Sequence, residues 1–229
     1  MTQFAPVARR EVENLGRRDP FWPAQVTVLA AIALSLDLPS NLTVSSEVWL
    51  IPAIEAVGLA GLILTTPWTP GLQRRQRRKV ALALVALVTA SNLVNLGLLV
   101  HTVLHPHAIH ANFGRELIVA GVEIWVTNVL LFTVWYWELD RGGPLARKTR
   151  PLPPPDFLFP QMTEERLGGI DWLPCYLDYL YTSFTNATAF SPTDTMPLTP
   201  MAKLLMGAQS LASLITIGMV FARAVNILT

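Results

Sequence analysis

Residues 80–114 contain no Asp, Glu, Lys or Arg, and nothing else in the chain restricts its fold as tightly. A soluble domain carries about one charged residue in four, so an uncharged run of this length has no aqueous surface to offer. Its helical part, 80–104, exceeds the roughly 20 apolar residues that cross a bilayer's hydrocarbon core. The whole chain has the same character, with 229 residues that are 52% hydrophobic and only 14% charged and a mean hydropathy of +0.41. A water-soluble globule is thereby excluded.

Four further neutral windows bring the expected count to about five spans: 21–38, which is short and ends at Asp37 and Pro39; 47–66, which holds Glu55; 117–137, which holds Glu123 and finishes in Trp135, Tyr136 and Trp137; and 201–227. Aromatic residues of that kind gather at the headgroup level. The stretch 138–173 is different, because Arg141, Arg147, Lys148 and Arg150 precede Pro151, Pro153, Pro154 and Pro155. Such a proline density supports neither a helix nor a central strand, and the stretch reads as an aqueous linker. No fixed-period repeat occurs. The expected fold class is all-α: a polytopic membrane protein with a short re-entrant helix and loop before its last span.

Basic residues set the orientation. Arg9, Arg10, Arg17 and Arg18, then Arg74, Arg75, Arg77, Arg78 and Lys79, then the cations of 138–173, all fall on one side if every span crosses. That side is expected to be the cytoplasm. The N-terminal segment also carries Glu11, Glu13 and Asp19 with no small-residue cleavage site after the first apolar run, which does not fit a cleaved signal peptide.

The net charge of +1 gives no global field that would draw nucleic acid. Cys175 is the one cysteine and has no zinc-ligand spacing around it, so it reads as a small buried hydrophobe. Ser183 and Ser191 have no histidine nearby in sequence, and neither a phosphate-cradling glycine loop nor an HExxH helix occurs. The chain is therefore expected not to be an enzyme, and no cofactor or metal is expected. His101, His105, His107 and His110 form a cluster that reads as a surface feature, with pH sensing or metal binding as alternatives. Glu55 and Glu123 lie inside spans, where an acid acts either as interhelical glue with Asn92, Asn95 or Asn128 or as a proton carrier. Glu138, Asp140 and Arg141, before Gly142 and Gly143, read as a charge-paired helix stop.

The segment that points to a function is 171–200. Pro174 suits a first helical turn, about four turns follow to Thr188, and Pro192, Pro197 and Pro200 forbid that helix from continuing. A helix too short to span, an irregular return and a full span form the pattern of a re-entrant loop, tolerated at membrane depth only beside protein or a wet cavity. In the last span Gln209, Ser213, Thr216, Val220 and Arg223 recur at three- and four-residue intervals and share a face. That face either lines a pore or mediates helix contacts.

The run YTSFTNATAFSPTDTMPLT and the apolar helix after it resemble the pore helix, filter and inner helix of two-pass tetrameric potassium channels, whose filter reads TTVGYGD, two residues, then PVT. Thr188 falls on the first Thr, Asp194 on the Asp, Pro197 on the Pro and Thr199 on the last Thr. Together with WYWELDRGGP the stretch is also similar to a group of uncharacterised bacterial membrane proteins. The channel resemblance covers the chain from the fourth span onward. It implies a homotetramer in the cell inner membrane that passes monovalent cations, with Thr188, Ala189, Phe190, Ser191, Pro192, Thr193 and Asp194 as the ion pathway and Gln209, Ser213, Thr216 and Val220 as the inner-helix pore face. Its implied partners are the lipid bilayer, further copies of the same chain and cations, with no nucleic acid.

The implied organisation is a basic segment (1–20), a peripheral three-helix domain (21–104) and a pore domain (115–229). The pore domain divides into an outer helix (117–137), linker (138–173), pore helix and loop (174–200) and inner helix (201–227). The filter departs from the channel pattern, because Ser191 and Thr193 stand at the glycine positions with Pro192 between them. A potassium filter's carbonyl ladder uses positive φ angles suited to glycine. Hydroxyls of Thr188, Ser191 and Thr193 and a ring of Asp194 carboxylates would have to serve instead. A non-conducting scaffold or accessory subunit that keeps the pore-loop fold is the alternative. Counting basic residues sends the loop in from the cytoplasm, whereas ordinary potassium channels admit it from outside. A reporter fused after Thr229 is expected on the external face; a cytoplasmic reporter would refute that orientation.

Overall fold

The computed structural model describes residues 20–38, 56, 57, 60, 71–105, 113–147, 151–163, 172–188 and 194–228. Within them the chain is mostly helical, with α1 (Trp22–Asp37), α2 (Gly71–Leu104), α3 (Phe113–Leu139), α4 (Tyr176–Thr188) and α5 (Pro200–Leu228). Three stretches are long and apolar enough to cross a membrane: Arg78–Leu104 in α2, Gly114–Gly142 through α3, and Pro200–Arg223 in α5. These correspond to the windows expected at 80–104, 117–137 and 201–227. The window at 21–38 forms α1, a shorter apolar helix. The window at 47–66, with Glu55, lies almost wholly outside the described residues.

Helix α1 opens with Pro23 in its first turn and closes where Leu38 turns extended, at φ −62° and ψ 139°. Pro39 follows, and a residue before proline is driven out of the helical region. Helix α3 is the hub, with 61% of its span buried against 39% for α2 and 28% for α5. Around its C-terminal half Val28 and Ile32 of α1, Leu84 and Val88 of α2, and Met206 of α5 form one core with Phe132 and Trp137. A second core holds Leu38, Leu96, Leu99, Leu117, Ile124 and Ala212 at the other end of the bundle.

Helix α3 ends in a 3-10 turn, Asp140–Gly142, and Arg141, Gly142 and the capping Gly143 all take positive φ. The chain then reverses and packs back. Phe157 and Phe159 are buried, and a two-residue strand β1 (Phe157–Leu158) pairs antiparallel with β2 (Met196–Pro197), matching Phe157 to Pro197. The aqueous linker expected over 138–173 is thus, where described, a docked segment. Its prolines bar regular structure, but the apolar run Phe157, Leu158 and Phe159 gives it a face to bury.

Arg78 donates to the Glu138 carbonyl at 2.9 Å, and the rings of Phe21 and Trp137 lie 5.7 Å apart. The starts of α1 and α2, the end of α3 and the docked segment therefore share one end of the bundle, and α2 runs antiparallel to α3. Gly143 holds this end together. Its φ is +95°, and an added Cβ would sit 3.2 Å from the Glu138 carbonyl oxygen. Gly143→Ala is expected to lower stability by about 1–3 kcal/mol, read as a fall in the thermal unfolding midpoint in detergent. Gly97→Ala, whose Cβ would meet no atom within 4 Å, should leave the midpoint unchanged or raise it slightly.

Candidate functional site

Helix α4 has 13 residues, about 20 Å of helix, and is seated between α3 and α5. Asp178 caps its start by accepting the Cys175 N–H at 2.7 Å, half of a capping box. Burial, then the neighbouring Asp178 carboxylate, push the Cys175 thiol above its ordinary value, which keeps it protonated and a poor nucleophile.

Tyr179, in the first turns of α4, donates to Asp140 at 2.7 Å. Asp140 is fully buried and also accepts the backbone N–H groups of Asp156 at 2.9 Å and Phe157 at 3.4 Å. Asp156 extends the clasp by accepting the Arg141 N–H at 3.0 Å and the Thr199 hydroxyl at 2.8 Å. Arg147 donates to the carbonyls of Trp137 and Asp140 and stacks between the Trp137 and Tyr179 rings, 5.7 and 5.3 Å from their centroids. Two aspartates and one arginine thereby tie the end of α3, the docked segment, α4 and the start of α5 into one unit.

Toward its C-terminus α4 buries polar groups against both long helices. Ser183 donates to the Val129 carbonyl at 2.7 Å. Gln209 of α5 donates to the Ser183 carbonyl at 2.9 Å and hydroxyl at 2.7 Å, and its own carbonyl accepts from the Tyr136 hydroxyl and from Asn186. Asn186 also reaches the Met206 carbonyl at 3.0 Å, and Asn128 of α3 bonds Ser213 at 2.8 Å. At the last turn the Trp125 indole donates to the Ala187 carbonyl at 3.3 Å. Trp125 lies near the middle of α3, so α4 runs antiparallel to α3 from its C-terminal end and stops about halfway along it. Below Thr188 an apolar cavity of about 380 Å³ opens between α3 and α5, lined by Trp125, Thr216, Ile217, Val220 and Phe221 among others.

Of the expected pathway residues, Thr188 ends α4 and is partly exposed, while Asp194 is exposed. The next residue, Thr195, lies 3.1 Å from Thr182 hydroxyl to hydroxyl, which returns the chain alongside α4. Ala189, Phe190, Ser191, Pro192 and Thr193 lie outside the described residues. Gln209, Ser213 and Thr216 are enclosed within the fold, and Val220 packs against Gly121. The buried part of the α5 stripe thus makes helix contacts within this chain.

Asn92 bonds the Ile124 carbonyl at 3.3 Å, so it acts as interhelical glue, and Glu123 is buried in α3. His101 and His105 stack on the exposed surface of α2 with centroids 4.8 Å apart; His107 and His110 lie outside the described residues. Among the described residues no group of three or more His, Cys, Asp or Glu could hold a metal ion. Sequence reading passed over the roles of Tyr179, Asp156 and Arg147. Only the position of Asp140 at a helix end, before two glycines, hinted at the clasp.

Set against models of protein families, curated proteins and solved structures, the chain has no significant match.

The two networks carry different loads. Tyr179→Phe is expected to cost about 1.5–3 kcal/mol, the range for a hydrogen bond to a charged acceptor, and a double-mutant cycle with Asp140→Asn should show coupling. Gln209→Leu leaves several buried groups without partners and should cost at least about 2 kcal/mol, measured by thermal unfolding in detergent.

Proposed function

We propose that this chain is one subunit of a homotetrameric pore in the cell inner membrane that passes monovalent cations. Helices α3 and α5 would serve as outer and inner helices, α4 as the re-entrant pore helix, and residues 188–194 as the filter-like loop. The observation that carries the reading is the seating of α4, a half-length helix whose carbonyl end stops midway between two membrane-length helices. A helix C-terminus carries partial negative charge, and backbone left unpaired at that depth needs a protein partner or a water-filled centre. Several copies meeting at an axis would supply that centre. Exposed apolar side chains on α4 (Leu177, Tyr181 and Phe184) and on α5 (Leu204 and Leu211) offer surfaces for neighbouring subunits or lipid.

Within this reading the Gln209, Ser213 and Thr216 stripe holds α4 in place, and the ion path falls to Thr188, to residues 189–193 and to Asp194. The grouping of Arg78, Arg141 and Arg147 at the end where α4 begins supports a loop that enters from the cytoplasmic side.

The enclosed stripe also favours a second reading, a non-conducting scaffold with the same subunit structure. Liposome flux separates the two. Purified protein in potassium-loaded vesicles is expected to release cations, and Asp194→Asn should reduce release roughly tenfold, since a ring of carboxylates concentrates cations at a pore mouth. Fourfold particles without flux would favour the scaffold, and flux untouched by Asp194→Asn would remove that residue from the pathway.

A further inference from the structure

We propose that the cationic head of α2 is a binding site for the phosphate headgroups of anionic phospholipids. Helix α2 is continuous over Gly71–Leu104, and 34 residues of helix measure about 50 Å against a hydrocarbon core of roughly 30 Å. One end must project. The apolar span begins at Arg78, so residues 71–77 stand beyond it, a continuation of about 10 Å into the headgroup layer and the water.

Five of the six positions 74–79 are cations: Arg74, Arg75, Arg77, Arg78 and Lys79. Six successive helical positions pass right round the axis, so no single packing face of the protein can take up all five charges. Arg78 donates to the Glu138 carbonyl at 2.9 Å and lies 3.9 Å from the Glu138 carboxylate, while Lys79 is exposed. The acids described at this end are already engaged, Asp140 by three donors and Asp156 by two. No acidic residue lies in the first turn of α2, and the helix dipole adds positive charge there.

Cations that begin at the last apolar turn and extend into the headgroup layer face lipid phosphates before any soluble anion. A cluster of four or more at that position recruits acidic lipid at a membrane surface. Arg78 gives the site a route inward. It touches the end of α3 two residues before Asp140, the group that holds Tyr179 of α4, so a headgroup on its neighbours bears on the clasp that seats α4.

Lipid retention tests the site without any flux measurement, so it stands or falls apart from conduction. The full-length protein is exchanged into nanodiscs of phosphatidylcholine mixed with phosphatidylglycerol, and co-purified lipid is counted by native mass spectrometry. Wild type should retain phosphatidylglycerol preferentially. The triple variant R74Q/R75Q/R77Q leaves Arg78 on Glu138 and should lose roughly tenfold to a hundredfold of that preference. The charge-keeping variant R74K/R75K/R77K should retain it. Equal retention of the two lipids by wild type, or undiminished preference in the glutamine variant, overturns the site. Tighter binding of inorganic phosphate or of a short oligonucleotide than of the lipid, in competition, overturns the lipid assignment.

Discussion

A half-length helix between two apolar helices must bring its hydrogen-bond partners with it, and the rest of this structure follows from how α4 does so. Ser183 and Asn186 would each be costly if buried alone in apolar surroundings. Gln209 resolves both, since its amide donates to Ser183 and its carbonyl accepts from Asn186 and Tyr136. One α5 side chain thereby ties α4 to α5 and to α3 at once. Ser183 completes the link by donating to the Val129 carbonyl, so the buried polar groups of this network satisfy one another.

The other end of α4 is held by charge rather than by amides. The buried carboxylate of Asp140 is tolerable because it accepts two backbone N–H groups and one phenol, and charge-assisted bonds of this kind are the stronger ones. The same carboxylate fixes the docked segment, whose Phe157 fills the core beside Tyr136. The turn at Gly143 makes the approach possible. Removing any member of this clasp therefore bears on the seating of α4 as well as on local stability.

Much of the architecture was legible in the chain. Long apolar runs with little or no charge identified the helices now seen as α2, α3 and α5, because membrane-length apolar sequence has few other outcomes. Pro174 and the prolines at 192, 197 and 200 marked a short helix ending near Thr188, and Tyr176–Thr188 is helical. The polar stripe of α5 was legible as a stripe, but its destination was not. Periodicity reports which residues share a face and is silent about what that face meets. The docking of residues 151–163 is illegible in the sequence for a related reason. Proline density reports the absence of regular structure, whereas docking depends on three apolar residues finding a partner strand some forty positions away.

The chain alone therefore determined which segments are apolar enough to span and where helices must stop, because these depend on local composition and backbone sterics. Only the tertiary structure decided that Gln209 faces Ser183 and Asn186, that Asp140 reaches Tyr179, and that Arg78 meets Glu138. Each is a pairing of residues 23 to 60 positions apart, and polar side chains of this kind have many possible partners. The choice among them is made by the packing of α3 against its neighbours, which no local pattern encodes.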